Sequence, residues 1–522
     1  MKKKIRNLFN SDGSLGRTSA ILMIFTALSR LLGFFRIAVI GAFFGSSGTA
    51  DVLNAVFMIP NNLRKLLAEG ALSSALIPQL TREIVAGENH VLLVQRVMSF
   101  LLAIVTVIVI IALIFSRPIV MFLMDFPEVW KLNLSVKLFR IIFPYLLLVS
   151  VSALLMAVLH CHKIFIVSAI SPLLFSVFVI SGIVLFYNKL GVISAALGIL
   201  IGGAVGIFVQ LPRVMRCGYQ VSINFNWRDP ILLRVLKNWL PIIVASSLFA
   251  VSQQVAIYFA SGLSDGSTSA ISNALVFWQL PFGILSTSVV GSHFPAMSIA
   301  AAKGQSQVLK RVFTSGYTLV VSLLLPAVLV YLFFGEKIIM VALERMTFSH
   351  KGTLMASSVL FYYSLGMVSV GIFNFCQRFF FALTLYHIPF VVSIFVVITD
   401  IILSIILKES ALGVAGLALA NSIAFTFGAA VLTVFSLKYM QGKVIIGFVK
   451  RLFLIILING GFVVVFWGLQ GLSRDIWGTA STWENGFVLF IVLSLCLIVT
   501  LLLYKKLKVG FWQSIEKELP GE

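Results

Sequence analysis

Apolar residues run in blocks too long for a soluble fold. A window of about 19 residues finds them near 18–43, 52–80, 93–124, 137–159, 164–187 and 190–212. A polar stretch at 213–231 follows, then blocks near 232–262, 268–299, 309–335, 353–382, 386–407 and 411–437, and a final two near 446–470 and 485–504. A helix of about 20 apolar residues crosses a bilayer core. The pattern therefore predicts an all-α polytopic membrane protein of about 14 transmembrane helices. The second and eighth blocks are less apolar than the rest, and prolines interrupt both: Pro60 and Pro78 in one, Pro281 and Pro295 in the other.

The blocks repeat. Phe143-Pro144-Tyr145 leads into Val149-Ser150-Val151, as Phe361-Tyr362-Tyr363 leads into Val368-Ser369-Val370. Leu190-Gly191-Val192 opens the sixth block and Leu412-Gly413-Val414 the twelfth. The offsets stay between 217 and 222 residues, and the matches keep their order. Six spans is an even number, so two such halves insert with the same orientation about an axis along the membrane normal, a transporter arrangement. The expected division is an N-lobe at 1–222, a C-lobe at 223–440, and a helix pair with a cytoplasmic tail at 441–522. Gly198, Gly202 and Gly206 recur every fourth residue, a small face suited to close helix packing.

Composition sharpens the class. Only 11% of the 522 residues are charged and 60% are hydrophobic, against about 25% charged in a soluble domain. That excludes a soluble enzyme, a disordered chain and a disulfide-rich module. The net charge of +21 is explained by loops: 24 of the 39 Lys and Arg fall in one alternating set of loops and 8 in the other. That split places both termini in the cytoplasm, and basic loops beside an anionic leaflet need no nucleic-acid partner. The four cysteines share no ligand spacing. His160-Cys161-His162 reads as a solvated helix end, so no metal and no catalytic residue is expected.

Charges at bilayer depth carry the functional signal, because each costs about 2.5–3.5 kcal/mol to insert. The bases are Arg30, Arg36, Arg64, Lys65, Lys137, Arg140 and Arg378, and the acids are Asp51, Glu69 and Asp400. Arg30 lies some twelve residues into the first span, about 18 Å at 1.5 Å per residue, too deep for easy snorkelling. Pro60-Asn61-Asn62 is expected to break the second helix just before Arg64-Lys65, and broken backbone at this depth lines a cavity or is buried in protein. Lys65 and Glu69 stand at i,i+4, so a local ion pair competes with a substrate role there. Asp51 either caps its helix or joins the site. Arg30, Arg36 and Arg64 outnumber the acids of their half, and guanidinium groups in a cavity suit phosphate or pyrophosphate.

These residues form a string: Ser29-Arg30-Leu31-Leu32-Gly33-Phe34-Phe35-Arg36, Phe44-Gly45, Ala50-Asp51, Pro60-Asn61-Asn62-Leu63-Arg64-Lys65, Ala68-Glu69-Gly70-Ala71 and Pro78. The string closely resembles the MurJ (MviN) family of lipid II flippases, within the multidrug/oligosaccharidyl-lipid/polysaccharide exporter superfamily. The resemblance is sharp over 29–80 and extends in topology over the chain. It implies alternating-access transfer of lipid II, the undecaprenyl-pyrophosphate-linked peptidoglycan precursor, from the inner to the outer leaflet of the bacterial cytoplasmic membrane. It also implies that Arg30, Arg36 and Arg64 are cavity arginines, with Lys65 at a usually basic position and Asp51 at the family's aspartate.

The chain departs from the family at Ile37, commonly Asp, and in Ser272–Leu280, where a span-eight base is absent and Val276 stands nearest its place. Some members resemble sodium-coupled carriers, which makes Asp400 with Thr399 and Asn421 a candidate cation site; a lone acid bonded to neighbouring hydroxyls is the alternative. No cofactor is expected beyond a coupling cation, Na+ or H+, or the membrane potential. Expected partners are lipid II, membrane lipids and other cell-wall synthesis proteins. The competing functions are export of another lipid-linked oligosaccharide, and a non-transporting scaffold for cell-wall assembly. A polyprenyl-phosphate enzyme fits poorly, because the 213–231 loop holds only Asp229 as an acid.

Overall fold

The computed structural model describes residues 15–67, 71–87, 90–162, 164–220, 222–439 and 448–461, with isolated positions at 463, 491, 494 and 502. Among the described residues every regular element is helical. Helices stand at each of the first twelve expected spans; the expected pair at 446–470 and 485–504 lies outside the described residues except for a helical stretch at 448–461. Among the described residues eight helices are long and apolar enough to cross a membrane, or nine if a pair bent by 45° counts as one.

Contacts divide the chain into two compact units, Met1–Thr268 and Ser269–Glu522. The first holds α1 (Leu15–Phe44), α2 (Thr49–Leu67), α3 (Ala71–Ala86), α4 (His90–Ile114), α5 (Ser116–Leu123), α6 (Val129–Ile142), α7 (Tyr145–Cys161), α8 (Phe165–Leu190), α9 (Ile193–Arg216) and α10 (Pro230–Ser261). The division by contacts falls later than the division by repeat because α10 packs on α2, α3 and α4. Its start is fixed locally: the Asp229 carboxylate accepts from the Ile231 and Leu232 amides at 2.9 Å, Pro230 occupies the first turn, and Arg96 pairs with the same carboxylate.

One expected feature is corrected. The second span does not break at Pro60-Asn61-Asn62: α2 runs through Pro60 to Leu67. Proline removes a single backbone bond, to the Val56 carbonyl. Ile59 and Asn62 are buried around it, and Arg64 reaches back one turn to Asn61, so side-chain packing holds the helix together.

The α8–α9 pair shows what the small stripe is for. A Cβ added at Gly198 would lie 2.8 Å from the Val179 Cα, and one at Gly202 would lie 3.0 Å from the Phe175 carbonyl oxygen. Between lipid-soluble helices the association comes from such close packing rather than from excluding water. The two-residue turn between them needs Gly191 at φ 54°, ψ −134°. Its counterpart in the repeat, Gly413, sits at φ 50°, ψ −122°. Residues with a side chain rarely adopt that conformation, so the repeated Leu-Gly-Val motif encodes one turn used twice.

The second unit opens with α11 (Ser267–Pro281), which starts at the boundary, and continues through a π turn at Phe282–Ser286 into α12 (Thr287–Ala302). Then come α13 (Ser306–Leu343), α14 (His350–Leu365), α15 (Met367–Ala382), α16 (His387–Lys408) and α17 (Val414–Lys438). Pro281, without an N–H to give, immediately precedes the widened turn. The α14–α15 bend is at Gly366, where a Cβ would meet the Ser422 Cα at 2.7 Å.

Candidate functional site

Within the first unit, α1, α2, α7, α8 and α9 enclose a cavity of about 480 Å³. Its walls include Arg30 and Arg36 from α1 and Arg64 from α2. The three arginines predicted from sequence are therefore brought together. No Asp or Glu stands among the described lining residues.

Each arginine is held differently. The Arg36 guanidinium lies over the Phe175 ring at 5.2 Å and the Phe57 ring at 5.8 Å, and those rings stack on each other at 6.4 Å. Ring faces attract a cation without neutralising it. Arg64 donates to the Asn61 Oδ1 from Nη2 at 3.0 Å and from Nε at 3.3 Å, which orients its fork. Arg64 is near enough to Arg36 for the two charges to repel. Arg30, half-buried, completes the set. Fixed like charges in a low-dielectric site raise the free energy until an anion enters, and guanidinium forks match phosphate oxygens.

Sequence reasoning missed the rest of the lining. Phe57, Tyr145 and Phe175 form an aromatic wall, with Tyr145 and Phe175 5.3 Å apart. Ser152, Ser168, Ser171 and Gln210 form a polar one. The aromatic residues read as ordinary core in the sequence, and only their approach to Arg36 distinguishes them.

The remaining predicted residues lie elsewhere. Asp51 is 2% exposed and is not a lining residue; its Oδ2 accepts from the Gly266 amide at 2.7 Å. Next to it Lys131, 3% exposed, donates to Asp265 Oδ1 at 2.5 Å and Glu128 Oε1 at 3.0 Å, and the Gly48 amide reaches the same Asp265 oxygen at 3.2 Å. Together they tie the α1–α2 turn to the α10–α11 turn. Burial alone would raise the Asp265 carboxyl, but the hydrogen bonds and charge of Lys131, with the Gly48 amide, hold it below the ordinary carboxylate range. The side chain of Lys65 and all of Glu69 lie outside the described residues.

In the second unit Asp400, 3% exposed on α16, accepts from the Asn421 side chain of α17 at 3.1 Å. Thr399 is half-buried one residue earlier. Arg378, exposed on α15, lies over Phe294 and Phe381 at 5.6 Å each. The His160-Cys161-His162 run splits apart: His160 pairs with Ser168 at 2.9 Å and His162 with the Tyr219 hydroxyl at 3.0 Å. Among the described residues no three His, Cys, Asp or Glu side chains converge on a metal-sized site.

Comparison with known proteins gives the following. The family described as lipid II flippase MurJ matches residues 40–488. A probable lipid II flippase MurJ of Borreliella burgdorferi is 32% identical over 409 residues, covering 78% of this chain and 80% of that protein. One from Treponema pallidum is 27% identical over 489 residues, 91% of this chain and 90% of that one. Among solved structures, a lipid II flippase MurJ in an inward closed conformation superposes with a TM-score of 0.74 at 23% identity, covering 94% of this chain and 99% of that one. An inward-facing multidrug resistance MATE family transporter of the MOP superfamily superposes with a TM-score of 0.67 at 13% identity, covering 81% of this chain and 100% of that one. At these identities the structures speak to the fold.

Proposed function

The chain belongs to the MurJ lipid II flippase family, and from that premise we propose that it carries lipid II from the cytoplasmic to the outer leaflet. The observation that carries the reading is the cavity lined by Arg30, Arg36 and Arg64 with no carboxylate among the described lining residues. A pyrophosphate diester brings two negative charges to three cations, so binding relieves the repulsion between Arg36 and Arg64. The polyprenyl tail stays in lipid, where its transfer into a polar cavity would be costly. No bond is made or broken.

Transport follows by alternating access, with the repeat-defined halves 1–222 and 223–440 as the moving bodies and the 441–522 helix pair beside them. The membrane potential or a cation gradient supplies the energy, and Asp400 with Asn421 and Thr399 is the proposed place for Na+ or H+. Lys65 and Glu69 are assigned to the substrate path with the arginines, and Asp51 to the turn that holds α2 in place beside it. The setting is the bacterial cytoplasmic membrane, with both termini in the cytoplasm and membrane lipids and cell-wall synthesis proteins as partners.

A second reading, export of another lipid-linked oligosaccharide, draws on one observation: α11 carries no Lys or Arg. One experiment tests both. The chain replaces a cell's own flippase, and lipid II exposed on the outer leaflet is labelled, with Arg30→Ala and Arg64→Ala in parallel. Restored exposure by the intact chain, lost in variants inserted at equal level, supports the flippase. No exposure from a well-inserted intact chain transfers the reading to a different lipid-linked substrate.

A further inference from the structure

The segment joining α9 to α10 is not a free loop. Gln95 Nε2 on α4 donates to the Gln220 carbonyl at 3.2 Å, Ser99 Oγ accepts from the Asn224 amide at 2.7 Å, and the Trp227 ring meets Phe100 edge-on at 6.2 Å. Arg96 pairs with Asp229 where the segment ends. The chain therefore runs along α4 and returns, as a strap whose backbone is held by side chains of the helix.

Two features of α4 give the strap its depth and its outlook. Arg96 is the last charged residue of α4, and Phe100 lies four residues beyond it, about 6 Å at 1.5 Å per residue. The tip of the strap thus reaches the level at which α4 has entered its apolar run. Backbone outside a helix needs its polar groups satisfied at such a depth, and Ser99 satisfies the Asn224 amide there. Phe100 also begins a stripe at helical spacing, Phe100-Ile104-Val107-Ile111-Ile114. Ile104, Val107, Ile111 and Ile114 are exposed, and on a helix long and apolar enough to span a bilayer that stripe faces lipid. The strap covers the first turns of the stripe, so its own outer surface looks the same way.

That outer surface has the chemistry of a membrane interface. Ile223, Phe225 and Trp227 are 69, 59 and 49% exposed, and they alternate with Ser222, Asn224 and Asn226. The Asn224 amide turns to α4, which leaves its apolar neighbours outside. Tryptophan and other amphipathic rings favour the level where headgroups meet acyl chains. Arg216, Arg228, Arg234 and Lys237 stand exposed around them. The single acid between 213 and 237, Asp229, is taken by Arg96.

We propose that residues 222–228 form an interfacial anchor, which sets Ile223, Phe225 and Trp227 at the headgroup–acyl boundary of an anionic leaflet and gives the surrounding arginines lipid phosphates to bind. The strap carries the junction of the repeat halves 1–222 and 223–440, so the leaflet holds that junction in place. The inference goes beyond the transport reading and is the same whatever the cargo.

The test uses the full chain in nanodiscs of phosphatidylcholine, or of equal parts phosphatidylcholine and phosphatidylglycerol. Trp227 is one of eight tryptophans, and its fluorescence is read as the difference between the intact chain and Trp227→Phe. Expected is several-fold stronger quenching of that difference by lipids brominated near the acyl carbonyl than by aqueous acrylamide, with a further gain in the anionic discs. Ile223→Asn combined with Phe225→Asn reverses the order of the two quenchers, and Arg228→Gln combined with Arg234→Gln removes the gain from anionic lipid. If Trp227→Phe does not fold, Phe225→Trp adds a reporter at a neighbouring exposed position and reads the same contrast. Acrylamide reaching the intact strap better than brominated lipid places the strap in water and overturns the anchor. Protection from both quenchers places protein over it and overturns the anchor as well. Equal lipid quenching in the two kinds of disc overturns the anionic partner.

Discussion

Two groups of cations, one buried and one half-buried, sit in the same unit and are treated in opposite ways. Lys131 meets Asp265 and Glu128 directly, and its neighbourhood is finished with backbone amides from Gly48 and Gly266. Arg36 meets the faces of Phe57 and Phe175 and the repulsion of Arg64. The first arrangement cancels charge and ties two turns together. The second keeps charge available in a cavity. A sequestered cation is thus not in itself a site; what matters is what the fold sets beside it.

The largest expected effect breaks the cavity side of this contrast. Arg36→Ala and Arg64→Ala reduce lipid II exposure at least tenfold, each removing a charge-assisted bond to phosphate of about 1.5–3 kcal/mol. Thermal stability in detergent is unchanged or rises, because a repulsion has been removed. On the other side Lys131→Met lowers stability by about 1–3 kcal/mol, since a buried pair is broken while its partners remain partly solvated. A melting experiment shows the loss, and lipid binding by the variant that stays folded remains near that of the intact chain.

Smaller effects sharpen the comparison. Phe175→Ala removes one ring from Arg36 and weakens phosphate binding through lost positioning, by about 0.5–2 kcal/mol; a lipid-binding titration reads it. The smallest effect is on pH. The Asp265 carboxyl lies below its ordinary value of 3.8 in the folded chain, so its contribution is fully present above that value and is lost as pH falls through the lower folded one. Melting curves from pH 6 to pH 3 should fall more steeply for the intact chain than for Asp265→Asn.

Sequence reasoning reached the arginines because charge in an apolar run is expensive and stands out one residue at a time. It also paired Asp400 with Asn421, residues on neighbouring helices of one hairpin, now 3.1 Å apart. It could not place Asp51, whose partner Gly266 is 215 residues away and contributes only a backbone amide. Nor could it find Phe57 and Phe175, since aromatic residues in apolar runs read as ordinary core until their rings are seen under Arg36. Pro60 misled for a local reason: the rule that proline interrupts helices ignores packing, and α2 is packed on both sides of it. The Leu-Gly-Val repeat was legible because a backbone conformation favouring glycine leaves its trace in the sequence itself.

The central claim is that the cavity arginines carry the headgroup across. The most direct measurement reconstitutes the purified chain in liposomes with fluorescent lipid II, imposes a membrane potential, and follows the fraction of label reached by an impermeant quencher. The account predicts that the quenched fraction rises with the intact chain and with Lys131→Met, and stays at the protein-free level with Arg36→Ala and Arg64→Ala. Transfer that persists in both arginine variants would contradict it.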